Sequence, residues 1–228
     1  MGRAKEIIVK VIPAKIANEF VKKHHYSGKV VPNSTLHFGC FLDSKLHGVM
    51  SFGSPMDKSK VLPLVQPSLW NEMLELNRMA FDDYLPKYSE SRCISISIKL
   101  IKKNAPHIKW IISYADGCQC GDGTIYRASG FYLTGVKRNT TMLLMPNGEI
   151  IADKTLNNDN YKKIGQSAGY WKKRGAKPIE GMQLRYIYLI DKTCKITVPI
   201  LPFSAIDEMG AGMYKGEKIT QAERHKKE

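Results

Sequence analysis

The sequence predicts an α/β protein, a mixed central sheet flanked by helices, with a basic insertion late in the chain. Three observations carry this prediction. The stretch from Trp110 to Gly135, WIISYADGCQCGDGTIYRASGFYLTG, passes from an apolar run through a glycine-rich turn into a short helical segment and a second apolar run. Two β-rich runs, 35–42 and 46–52, are separated only by Asp43, Ser44 and Lys45, as in an antiparallel hairpin. Apolar residues at helical spacing follow Pro13 and Ser89.

In chain order, EIIVKVI (6–12) is a first strand, and Ile16, Phe20 and Val21 after Pro13 mark a helix that ends near His24-His25-Tyr26-Ser27-Gly28. The hairpin comes next. Pro55, Pro63 and Pro67 then confine 53–71 to a loop with at most one short helical turn. MLELNRMAF (73–81) alternates imperfectly and reads as a strand. Ile94, Ile98 and Ile101 define a helix from Ser89 to Lys103, whose start offers backbone N–H groups, the Ser89 and Ser91 hydroxyls and Arg92 to a phosphate-bearing cofactor or donor. Trp110 to Tyr114 suits a buried strand, with Asp116 leaving its end, Thr124 as helix cap and Gly130 as helix stop. Phe131 to Val136 is the next strand, so Asp116 and Tyr126 are expected to face a ligand at the strands' carboxyl ends. Pro146-Asn147-Gly148 turns a small hairpin, and 183–190 and 196–201 are the final strand-like runs.

A chain of 228 residues with 43% hydrophobic content supports one good core, so one domain is expected over 1–202, with 203–228 a weakly ordered tail. No run approaches the roughly 18 to 20 apolar residues of a membrane span, and 1–10 lacks a signal-peptide stretch, so a cytoplasmic protein is expected. Five cysteines scattered over the chain do not form a secreted disulfide framework. Cys118 and Cys120 raise an iron or zinc reading, but Cys-x-Cys without a second pair is a weak metal signature, and no metal ligand is assigned.

A net charge of +14 points to a polyanion, because clustered Lys and Arg release its counterions. The insertion 137–181 concentrates this charge: from Lys137 through Lys177 nine Lys or Arg face three acidic residues, interleaved with aromatics. Lys162, Lys163, Tyr170, Trp171, Lys172, Lys173 and Arg174 are therefore the candidate nucleic-acid contacts, cations for phosphates and rings for splayed bases.

The order strand, helix, three strands, helix, strand, helix, strand resembles the GNAT acyltransferase fold, and Tyr126-Arg127-Ala128-Ser129-Gly130-Phe131 resembles its Tyr…Gly-Phe motif. HHYSGKVVPNSTLHFG (24–39), GVMSFGSPM (48–56), LELNRMAF (74–81) and ADGCQCGDGTIYRASGF (115–131) resemble the Mom DNA-modification family of Mu-like phages, to about Ile190. The resemblance implies an enzyme that converts adenine in double-stranded DNA to N6-carbamoylmethyladenine, flipping the base from the duplex and shielding phage DNA from host restriction. It carries over His25, Tyr26, Arg78, Asp116 and Tyr126 as functional positions. The sequence departs from the GNAT pattern after 73–81. Arg78-Met79-Ala80-Phe81-Asp82-Asp83 stands where the Arg-x-x-Gly-x-Gly/Ala pyrophosphate loop would be. Acetyl-CoA and glycyl-tRNA both stay open as acyl donor, tRNA thus being a second nucleic-acid partner beside DNA. Two rival classes stay open as well: a CoA-dependent acyltransferase on a protein or small molecule, and a non-catalytic DNA-binding protein.

Overall fold

A computed structural model describes residues 2–220 and 222–224. By its internal contacts the chain groups into two compact units. The first comprises Met1–Ala115, Gly123–Gly135 and Leu184–Ala205, and the second Asp116–Asp122, Val136–Gln183 and Ile206–Glu228.

The first unit is built on a mixed sheet of strands β1 (Ile8–Val11), β2 (Ser34–Leu42), β3 (Lys45–Gly53), β4 (Met73–Phe81), β5 (Trp110–Gly117), β6 (Tyr132–Arg138) and β7 (Met182–Leu189). Their order is β1-β2-β3-β4-β5-β7-β6, and the last residues of β5 and β6 and the first two of β7 belong to the second unit. β1 to β4 pair antiparallel, whereas β4 and β5 run parallel. The β2–β3 turn is tighter than expected: only Asp43 and Ser44 lie between the strands, at φ 50° and 64°, the left-handed pair that a two-residue hairpin requires.

Helices cover both faces of this sheet. In α1 (Ala14–His24), Ala17 and Val21 are buried with Ile12, Val49 and Ala80. In α2 (Ser89–Asn104), Cys93, Ile94, Ser97, Ile98 and Ile101 form the buried stripe of a helix with one apolar side. The proline-interrupted segment contains a turn of helix (Lys58–Val61) and a 3-10 turn (Leu62–Leu64). It packs Val61, Leu64 and Val65 on Met73, Trp110, Ile112, Ile187 and Leu189. The strand expected over 196–201 shrinks to Lys195–Ile196, which pairs with Val65–Gln66. Pro199 and Pro202 lack the N–H groups to extend it.

The insertion is a folded element of the second unit. Met142–Leu144 and Ile150–Ala152 form the expected hairpin, with Gly148 at φ 84° in its turn, and Lys177–Pro178 adds a third strand. Three short helices, Asp153–Leu156, Asp159–Lys163 and Ala168–Lys172, surround a core of Leu143, Met145, Ile151, Leu156, Ala168 and Ala176. The segment expected as a weakly ordered tail contains the helix Ala205–Glu208 and a hairpin of Met213–Tyr214 with Glu217–Lys218. The Arg224 guanidinium meets the Asp122 carboxylate at 2.7 Å, their side chains only 6% and 3% exposed. Arg224 also donates to the Met213 carbonyl at 3.2 Å. Among the described residues no helix is long and apolar enough to cross a membrane.

Candidate active site

Parallel pairing of β4 with β5 covers only Met73 to Leu76 against Trp110 to Ser113, although both strands continue. At the point where it stops, β4 carries an extra residue: Leu76 opposes Phe52 and Arg78 opposes Ser51, so Asn77 is a bulge against β3. The bulge determines which side chains share a face. Glu75 and Arg78, three apart, would alternate to opposite faces of a regular strand. Here they oppose Gly53 and Ser51, which are two apart, so both emerge on the face that α1 covers. The Ser113 hydroxyl donates to the Leu76 carbonyl at 2.8 Å, closing the ladder where the strands part. Ser34 Oγ donates to Asn77 Oδ1 at 2.8 Å.

Around this opening the first unit gathers three of the positions read from the sequence. Arg78 Nε donates to the Lys29 carbonyl and Nη1 to the Asn77 carbonyl, each at 2.8 Å, so the guanidinium is fixed between β4 and the loop after α1. Burial lowers its proton affinity, while Tyr26 and Glu75 oppose that shift; it remains a cation. The rings of His25 and Tyr26 lie 4.3 Å apart at the helix exit, and Tyr26 is 51% exposed. The Ser27 N–H donates to His25 Nδ1 at 3.1 Å, so Nδ1 is the acceptor and Nε2 carries the ring proton.

Sequence reasoning missed Glu75, Asn77, Tyr114 and Arg185. Burial pushes the Tyr114 hydroxyl up to about 12, with Glu75 adding to the shift and Arg185 opposing it. The residue is still 43% exposed, so solvent screens part of this effect, yet the phenol is a proton donor at neutral pH. Arg185 donates from Nε to Thr134 Oγ1 at 3.0 Å and from Nη2 to the Thr134 carbonyl at 2.7 Å. The signal for Glu75 and Asn77 was the faulty alternation of 73–81, which the bulge at Asn77 explains.

Tyr126 also lies in the first unit, on α3 (Thr124–Ala128). Gly123, at φ 85°, occupies the N-cap position expected of Thr124. Tyr126 is 7% exposed, its ring 5.2 Å from Tyr186 and 5.4 Å from Phe131.

Asp116 belongs to the second unit and organises the glycine-rich turn there. Its carbonyl accepts from the N–H groups of Gln119, Cys120 and Gly121. Its carboxylate accepts from the Cys118 N–H at 3.1 Å, Gln119 Nε2 at 2.9 Å and Gln183 Nε2 at 3.1 Å, which fixes its plane. Gly181, at φ 131°, is required here because a Cβ would lie 2.6 Å from the Gly117 carbonyl oxygen. Burial, and then the Asp116 charge, push the Cys118 thiol up to about 12, so it is not an activated nucleophile at neutral pH; Cys120 is shifted in the same direction and is exposed. Among the described residues no group of three or more His, Cys, Asp or Glu side chains is placed to hold a metal ion.

At the start of α2, Ser89 is buried and its hydroxyl donates to the Pro86 carbonyl, whereas Ser91 and Arg92 line a cavity of about 370 Å³ in the first unit. In the insertion, Lys162, Lys163, Lys172, Lys173 and Arg174 are exposed. The Arg174 guanidinium sits 3.8 Å from the Tyr170 ring centroid. Trp171 packs against the insertion's core, which leaves Tyr170 as the better-placed ring.

The sequence profile of the Mom protein family matches residues 6–205. Methylcarbamoylase mom of Escherichia phage Mu is 32% identical over 195 residues, covering 84% of this chain and 79% of that protein. Among solved structures, the spermidine/spermine N-acetyltransferase of Vibrio cholerae is 7% identical with a TM-score of 0.48, overlapping 82% of this chain and 95% of that one. The ribosomal-protein-S18-alanine N-acetyltransferase of Escherichia coli is 10% identical with a TM-score of 0.45, overlapping 81% and 94%.

Proposed function

The chain belongs to the Mom protein family, and from that premise we propose that it is a transferase that converts adenine in double-stranded DNA to N6-carbamoylmethyladenine. The observation that carries this reading is the family match, which spans the elements bearing His25, Tyr26, Arg78, Asp116 and Tyr126 and includes a relative named a methylcarbamoylase. The net charge of +14 supports a DNA substrate, and the phage relative supports action inside a host cell. The exposed cations of the insertion, Lys162, Lys163, Lys172, Lys173 and Arg174, hold DNA phosphates, with Tyr170 beside them for a base. A flipped adenine is required, because N6 inside a duplex is out of reach, and unstacking costs a few kcal/mol that phosphate contacts help to offset.

The exocyclic N6 is a poor nucleophile because its lone pair is delocalised into the ring, so positioned groups must raise its reactivity. Asp116, its carboxylate plane fixed by Gln119, Gln183 and the Cys118 N–H, accepts an N6 proton in a hydrogen bond that sharpens as bond formation proceeds. Arg78 stabilises the developing oxyanion with the N–H groups that the two carbonyls do not use. His25 Nε2–H and Tyr26 line the base pocket, and Tyr126 protonates the leaving group.

The loop after β4 does not fit a coenzyme A pyrophosphate. Asp82 takes the Tyr84 N–H at 3.0 Å with one carboxylate oxygen and the His47 ring at 2.9 Å with the other, which puts an anion where free N–H groups are needed. That observation disfavours the CoA-dependent alternative. We therefore assign the donor as a glycyl ester, with glycyl-tRNA as its biological form, held through Ser91 and Arg92. N6 attacks the ester carbonyl, the ribose hydroxyl leaves with a proton, and N6-glycyladenine results. Its free amine then attacks ring carbon C6 through a five-membered intermediate; the new C–N bond forms, the original C6–N6 bond breaks, and the old N6 becomes the carboxamide nitrogen. Adenine labelled with heavy nitrogen at N6 tests the route: the label is expected in the carboxamide, and a label retained on the ring refutes it. Asp116→Asn and Tyr126→Phe are each expected to abolish most adduct formation in folded protein, and unchanged adduct yield removes that residue from the mechanism.

A further inference from the structure

We propose that the outer flank of α2 is a binding groove for single-stranded RNA, separate from the DNA contacts of the insertion. The cavity of about 370 Å³ there is lined by Lys5, Lys87, Arg92 and Lys99, with no carboxylate among its walls. From Ser91 to Lys99 the helix rises about 12 Å. Arg92 and Lys99 on that length, with Lys5 and Lys87 beside it, give the groove four cations to match a polyanion.

Two further features narrow the occupant. Tyr88, at φ 69° and 79% exposed, is held in the left-handed region immediately before α2 and presents its ring at the mouth of the groove. A tyrosine in that backbone state is strained, and an exposed ring beside cations is a stacking platform for an unpaired base. A duplex offers no such base along its length. The serines then separate RNA from DNA. Ser91 Oγ donates to the Tyr88 carbonyl at 3.2 Å and Ser95 Oγ to the Ser91 carbonyl at 2.9 Å, so each hydroxyl proton is already engaged by the helix backbone. In this arrangement what they turn to the groove is an acceptor oxygen, which suits a ribose 2′-hydroxyl donor that deoxyribose lacks.

This deepens the proposed donor site and rests on that reading only for its catalytic consequence, so binding is measured apart from turnover. Fluorescence anisotropy of the full chain is read with a short labelled RNA, single-stranded DNA of the same sequence, and duplex DNA. RNA is expected to bind more tightly than single-stranded DNA. The exposed pair Lys87→Glu with Lys99→Glu is expected to weaken RNA about tenfold or more and to flatten its salt dependence, leaving duplex binding within about twofold. Tyr88→Gly is expected to weaken RNA about fivefold to a hundredfold without lowering the melting temperature, because glycine accepts the positive φ. Equal affinity for RNA and single-stranded DNA, loss of duplex binding in step with RNA, or displacement of RNA by comparable coenzyme A would each overturn the proposal. RNA binding as described, in protein that makes no adenine adduct, upholds the groove and refutes the reaction.

Discussion

Gly123→Ala puts the positioning of Tyr126 to a quantitative test. Gly123 caps α3 at φ 85°, and a Cβ there would lie 2.4 Å from Tyr186 Cε2 and 2.7 Å from Cζ, closer than side-chain carbons approach. Gly130, just beyond the other end of α3, has nearly the same backbone at φ 82°, but a Cβ there meets only Tyr188 Cε2 at an ordinary 3.7 Å. Gly130→Ala therefore measures the left-handed backbone alone, about 1–2 kcal/mol. Gly123→Ala carries the same backbone term plus overpacking against Tyr186, about 1–3 kcal/mol more. At roughly 2–4 °C per kcal/mol for a chain of this size, the second variant is expected to melt about 2–12 °C below the first. Because the Tyr186 ring is 5.2 Å from the Tyr126 ring, adduct yield is also expected to fall in Gly123→Ala and to hold in Gly130→Ala when both are assayed well below melting. Equal melting temperatures would refute the steric reasoning. A lower melting temperature with full activity would show that the turn does not position Tyr126 for chemistry.

Three more expectations follow from the geometry. Arg78→Lys keeps the charge but cannot reach both the Lys29 and Asn77 carbonyls, so kcat is expected to fall about tenfold to a thousandfold, with stability down by about 1–3 kcal/mol, in steady-state assays and thermal melts. Arg224→Ala removes the cation beside the buried Asp122 carboxylate, which keeps the Met213 N–H at 3.4 Å; about 3–5 kcal/mol is expected to be lost locally, read as faster proteolysis and amide exchange around 116–122 and 206–220. Burial raises Cys118 from 9.0 to about 12 in the folded state, so the unfolded thiol ionises first and stability is expected to decline as pH rises from about 9 towards 12; Cys118→Ser should remove that part of the alkaline slope in pH-dependent melts.

The sheet of the first unit was legible because its strands announce themselves locally: β4 was read at its full extent from MLELNRMAF, and the helices from their apolar spacing. The site was less legible, for a geometric reason. Glu75 and Arg78 share a face only because Asn77 bulges against β3, and that depends on a partner strand more than twenty residues away in sequence. The faulty alternation was visible; the residue absorbing it was not. Residues 153–181 read as a polar stretch because the core residues there, Leu156, Ala168 and Ala176, are few and follow no single period. Composition likewise understated 203–220, where order depends on a buried ion pair between residues 102 apart in sequence. Trp171, read as a nucleic-acid contact from its basic neighbours, is partly buried against the insertion's core.

The most direct test of the account is mass spectrometry of nucleosides from the DNA of cells expressing this chain. Deoxyadenosine carrying one carbamoylmethyl increment is expected with the wild-type protein and is expected to be absent with Asp116→Asn at equal expression. DNA without that adduct, from cells in which the protein is present and folded, would contradict the assignment.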